Sequence, residues 1–126
     1  MSLQSNLENA ANGLQMMSES EYPFDYFSTE DTVIDEALAL KITQQPQGTA
    51  VTTTTLDDLL KNMTDPNRGS VSPQQAEQYK QMASALKDSL QNLTVYRVGE
   101  VQVDVLIIGL TAEGTVAGMR TKLIET

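Results

Sequence analysis

Apolar residues along this chain recur with two periods, one that suits helices and one that suits strands. Between 3 and 17, Leu3, Leu7, Ala10, Leu14 and Met17 step by four and three residues, which puts them on one helix face. Gly13 weakens that helix, and Pro23 disfavours helical backbone at Tyr22, so the element is predicted to end in Ser18-Glu19-Ser20-Glu21-Tyr22-Pro23-Phe24. Residues 24 to 36 show no period and read as irregular and acidic, with Asp25, Glu30, Asp31, Asp35 and Glu36. Leu38, Leu40 and Ile42 alternate with Ala39 and Lys41, which predicts a strand over 37 to 43. Gln44-Gln45-Pro46-Gln47-Gly48 reads as a turn, and the β-branched Val51–Thr54 as a second strand.

Two helices follow. Thr55 is placed to cap the first, with Asp58 three residues on and Leu56, Leu59, Leu60 and Met63 as its apolar side. A loop over 64 to 71 carries Asp65-Pro66 and Gly69. Ser72, Pro73 and Gln75 then form the signature of a capping box with proline in the first turn. Ala76, Tyr79, Ala83, Leu86 and Leu90 predict a helix running to about Leu93. In the last third, Val101, Val103, Val105 and Ile107 share one strand face while Leu106 and Ile108 lie on the other. A strand apolar on both faces needs cover on both sides. Thr111-Ala112-Glu113-Gly114 signals a hairpin, and Val116 to Ile124 returns as the partner strand. This order predicts one α/β domain over 1–126, a sandwich with a mainly antiparallel sheet.

Composition narrows the function classes. The chain has no cysteine and no histidine. Disulfides, thiolate metal sites, a cysteine nucleophile and a Ser-His-Asp triad are all excluded, and the commonest general base is missing. No cofactor is expected, and an enzyme is not. The net charge is -9, so the chain is not expected to bind nucleic acid or an anionic membrane, whereas a basic partner would be attracted. No apolar run approaches the ~20 residues of a membrane span. Met1 to Asn12 carries no Lys or Arg and reads neither as a secretory nor as a transit segment, so the expected location is cytoplasmic.

The remaining constellations are weak. Asp65, Asn67 and Gly69 resemble the start of a calcium loop, but Ala76 stands where the bidentate Glu belongs and Pro73 at the ninth position. Gly109, Gly114 and Gly118 form no phosphate loop and read as hairpin glycines. Asp104, between two valines, is expected to pair across strands with Arg120 or Lys122. Glu19 and Glu21 follow a predicted helix C-terminus, where anions gain nothing from the dipole. They are either a solvated turn or placed for a partner. Thr126 offers hard oxygens of the kind magnesium accepts, although chain ends are commonly frayed.

Two blocks bring a resemblance. Met17-Ser18-Glu19-Ser20-Glu21-Tyr22-Pro23-Phe24 is one. Val95-Tyr96-Arg97-Val98-Gly99-Glu100-Val101 is the other, continuing through Asp104, Ile108-Gly109, Ala117-Gly118 and Thr121-Lys122 to Glu125-Thr126. Both resemble the cyanobacterial nuclease A inhibitor, which blocks a sugar-non-specific, magnesium-dependent DNA/RNA endonuclease. The resemblance implies a three-layer α-β-α sandwich similar to the pathogenesis-related protein 1 fold. It also implies that Thr126 ligates the magnesium of the partner nuclease and that Glu19 pairs with a nuclease arginine, with Glu21 and Glu125 as acidic neighbours. The free inhibitor is then expected to be a monomer. One departure stands out: where the family carries Asp-Trp in the loop before the long helix, this chain has Arg68-Gly69. That departure leaves room for a divergent or non-nuclease partner.

Overall fold

The computed structural model describes residues 3–11, 15–16, 22–64, 72–100 and 102–124. The first helix, α1 (Leu3–Ala11), is shorter than its apolar stripe predicts. Leu14 and Met17 lie outside the described residues, and Gln15–Met16 forms a short strand, β1. β1 pairs antiparallel with β2 (Tyr22–Pro23). The stretch expected to be irregular contains β3 (Asp25–Ser28), an edge strand with Tyr26 and Phe27 half-buried on opposite faces.

The strand predicted over 37 to 43 is instead a helix, α2 (Glu36–Thr43). Asp35 caps it, its Oδ1 accepting from the Leu38 N–H at 2.9 Å. Leu38, Ala39 and Thr43 are the buried positions, a helical rather than an alternating set. The helix closes on Gln44 at φ 57, a left-handed cap whose N–H reaches the carbonyls of Leu40 and Lys41. The turn and β4 (Val51–Thr54) follow as expected.

Helix α3 (Leu56–Thr64) starts as the sequence indicates, with the Asp58 N–H donating to Thr55 Oγ1 at 3.1 Å. Helix α4 (Pro73–Ser89) has the full capping box: Gln75 N–H to Ser72 Oγ, and Ser72 N–H to Gln75 Oε1. Its buried face is Ala76, Tyr79, Met82 and Leu86, so Met82 takes the core position assigned to Ala83, which is half-buried. α4 ends four residues before the expected Leu93, at Ser89. Leu90 turns extended at φ -126, and the chain enters β5 (Gln91–Val98). The alternation of Thr94, Val95, Tyr96 and Val98, half hidden under the tail of the helical stripe, marks this strand.

β6 (Gln102–Leu110) and β7 (Val116–Ile124) form the expected hairpin. Its turn is closed by Gly114 N–H to the Thr111 carbonyl at 2.9 Å, with Gly114 at φ 84. Gly109 and Gly118 are not hairpin glycines. They lie inside the strands, opposite Ala117 and Ile108, where other backbone approaches closely. The sheet order is β3-β7-β6-β5-β4, every pairing antiparallel. Among the described residues the fold is thus mixed α/β, with a five-stranded antiparallel sheet and four helices.

The two faces of β6 are each covered. Val103, Val105 and Ile107 join Met119 and Val95 in a cluster with Leu7 of α1, Leu56 and Leu60 of α3, and Met82 and Leu86 of α4. Leu106 and Ile108 join Val116, Tyr96 and Val98 in a second cluster with Leu38 and Ala39 of α2. Each Val, Leu, Ile or Met among them contributes roughly 1.5–3 kcal/mol by burial.

Tyr96 also reports on the second cluster. Its burial, and then the charges of Asp35 and Glu36, push its phenol above the ordinary value of 10.0. A folded pKa above the unfolded one favours the fold below the unfolded pKa and loses that contribution as pH rises through the folded one. Stability is therefore expected to fall on the alkaline side of pH 10. Tyr96→Phe should flatten that limb of a denaturation-versus-pH curve. An unchanged limb would show that another group is responsible.

Candidate partner-binding site

The register fixes which elements share an end of the sheet. Asp25 of β3 lies opposite Arg120 of β7, and the strands run antiparallel. Following the chain back from Asp25 therefore moves toward the last residues of β7. The β1–β2 pair is found there, against β7. Residues 17–21, with Glu19 and Glu21, are the link between β1 and β2.

The two packed helices run against one another. α4 finishes beside Gly109, since a Cβ built there would stand 2.8 Å from Leu90 Cβ. The Lys87 ammonium near the end of α4 meets Asp57 in the first turn of α3 at 2.6 Å. The helices thus run in opposite directions, with the end of α3 and the start of α4 away from Gly109. Residues 65–71, with Arg68 and Gly69, connect Thr64 to Ser72. Glu125 and Thr126 follow Ile124 directly. Glu19, Glu21, Arg68, Gly69, Glu125 and Thr126 themselves all lie outside the described residues. What the described residues establish is that β1 and β2, which flank residues 17–21, lie against β7, which leads into residues 125 and 126.

The same end holds a buried carboxylate. Asp104 is 8% exposed in the central strand. Its Oδ1 lies 4.0 Å from the Lys122 ammonium directly across the pairing, so the expected cross-strand partner is present. Its Oδ2 accepts from Gln45 Nε2 at 2.9 Å, a contact spanning 59 positions that no local pattern signals. The opposite end is different in kind. Open hollows of about 480 and 530 Å³ there share Glu30, Asp31 and Lys41. They are beside the Val116 N–H bond to the Asp31 carbonyl, at the hairpin end.

Among the described residues no three Asp or Glu side chains come together where they could hold a metal ion. Among them, too, no helix is long and apolar enough to cross a membrane. A family model for nuclease A inhibitor-like proteins matches residues 1–126, the whole chain. The chain belongs to that family. No curated protein matches it. Membership in the nuclease A inhibitor-like family gives a nuclease-inhibitor role in general terms, and a nuclease as the kind of partner. An inhibitor family is compatible with a chain that has no histidine or cysteine to serve catalysis.

Proposed function

We propose that this chain is a stoichiometric inhibitor of a sugar-non-specific, magnesium-dependent DNA/RNA endonuclease, acting as one domain over 1–126. Thr126 enters the nuclease active site and ligates its magnesium, while Glu19 pairs with an active-site arginine. Glu21 and Glu125 add negative charge beside them. The observation that carries this reading is the shared end: β1 and β2 flank Glu19, β7 leads into Thr126, and both belong to one corner of the sheet. A site built to grip phosphate is basic and often rich in arginine. A protein of net charge -9 is steered toward it and is poorly suited to binding the nucleic acid itself.

The same reading takes the fold as a three-layer α-β-α sandwich of the pathogenesis-related protein 1 kind. The division of the core into an α1/α3/α4 cluster and an α2 cluster on opposite faces of the sheet supports it. The inhibitor then works as a monomer in the cytoplasm. A second reading, an interaction domain of this fold with a divergent or non-nuclease partner, is favoured by Arg68-Gly69 alone.

A digestion assay tests the first reading. Intact protein is expected to protect DNA at equimolar ratio to a magnesium-dependent, sugar-non-specific nuclease. Glu19→Ala should weaken inhibition by roughly 10- to 100-fold, the range of a charge-assisted contact. Removing Thr126 should weaken it further. Full inhibition by the protein lacking Thr126 would sink the mechanism. A pull-down that recovers a different class of protein as the dominant partner would favour the second reading.

A further inference from the structure

Asp104 interrupts an otherwise apolar stretch of β6. Val103 and Val105 flank it, and Leu106 follows. Burying a carboxylate costs several kcal/mol of desolvation before any partner returns it, and apolar replacements of buried ion pairs are commonly neutral or stabilising. Yet its two oxygens are divided between two separate pieces of the molecule. One takes the Gln45 amide in the turn between α2 and β4. The other faces Lys122, two residues before β7 ends at Ile124.

The turn is itself well braced. Gln44 is left-handed, the Gln45 N–H reaches the Leu40 carbonyl at 3.0 Å, and the Thr49 N–H reaches the Pro46 carbonyl at 3.3 Å. It leads into Val51, which lies opposite Val98, and Val98 in turn lies opposite Asp104. The turn and the end of β7 therefore sit at the same end of the sheet, with Asp104 between them.

We propose that Asp104 is a positioning residue: it ties the end of β7, the strand that leads into Thr126, to the braced 44–49 turn and so holds residues 122–124 in one place. Its value to inhibition rests on the proposed role of Thr126. The tether itself does not. Holding a binding segment in one path before encounter lowers the ordering cost of association and slows dissociation.

The test uses three variants of the full chain. Asp104→Asn keeps an acceptor for Gln45 and loses the charge facing Lys122. Asp104→Leu loses both links, and Gln45→Ala removes only the turn link. Asp104→Leu takes away the acceptor of the Gln45 amide and is expected to lower the melting temperature modestly, Asp104→Asn by less. Amide hydrogen exchange at Lys122, Leu123 and Ile124 should rise by about tenfold in Asp104→Leu and less in Asp104→Asn. Potency against the nuclease should fall by about tenfold in Asp104→Leu, and that loss should shrink when Thr126 is also removed, since both changes then act on one segment. Should Asp104→Leu not fold, Asp104→Asn and Gln45→Ala carry the same exchange measurement. Unchanged exchange at these amides overturns the tether. So does a potency loss that simply adds to that of Thr126 removal. If the intact protein protects no DNA, the functional reading fails while the exchange result still decides the tether.

Discussion

Gly118→Ala is expected to cost about 3 kcal/mol or more of folding stability, because the new methyl group would meet only backbone. Gly118 lies in β7 opposite Ile108 of the central strand. A Cβ built on it collides with the Ile107 carbonyl oxygen, and the Ile107 carbonyl carbon and Ile108 Cα are also within 2.9 and 3.1 Å. A side chain could rotate out of the way. These atoms belong to a strand hydrogen-bonded on both sides, so relief requires shifting the sheet. With a total stability of roughly 5–15 kcal/mol for a domain of this size, such a loss is a large share of the whole. Gly114→Ala is the control. There the Cβ meets nothing within 4 Å and only φ 84 opposes it, so about 1 kcal/mol is expected. Urea denaturation of both variants decides the matter: a Gly118→Ala midpoint equal to that of Gly114→Ala would show that the sheet yields easily.

Replacing Arg68-Gly69 with the Asp-Trp pair of the family is expected to tighten inhibition by roughly 30-fold or more. Buried Trp anchors are worth about 2 kcal/mol or more at interfaces. Removing Arg68 also removes a like charge facing a basic nuclease. The substituted segment lies between α3 and α4. Titration of a fixed amount of nuclease with the Arg68→Asp, Gly69→Trp protein gives the answer. No gain in potency would mean that this segment does not touch the nuclease, and would move the weight to the divergent-partner reading. The single variant Arg68→Asp separates charge from anchor, and its gain should diminish as salt is raised.

What could be read from the sequence was mostly what is decided locally. The caps at Thr55 and Ser72 involve residues three apart, and both are formed as the residues suggest. Asp35 caps α2 in the same way. The alternation of Leu38, Leu40 and Ile42 points to a strand, but Ala, Leu and Lys favour helix and a short apolar run fits either period. The start of β5 was hidden because Leu90 and Leu93 continue the spacing of Leu86. β3 carries only Tyr26 and Phe27 as apolar residues, as an exposed edge strand can. The candidate partner-binding residues come from resemblance to a family and not from composition, which only removes alternatives. The approach of β1 and β2 to β7 depends on β3 pairing with β7, and the helix pair on α3 running against α4. No periodicity encodes either relation, nor the contact from Gln45 to Asp104.

The pairing of β3 with β7 has a consequence for how the protein is made. It joins a segment near residue 25 to one near residue 120, so the chain must close a very large loop before these strands meet. The β5–β6–β7 meander needs no such closure and can form first, with α4 folding onto it. β3 then docks late, as a four-residue strand hydrogen-bonded on one side only. In the finished protein it is a strand expected to detach early under mild destabilisation, taking the β1–β2 pair with it. Binding to a partner at that corner would lock it down, so a complex should protect β3 from proteolysis far more than it protects the central strands.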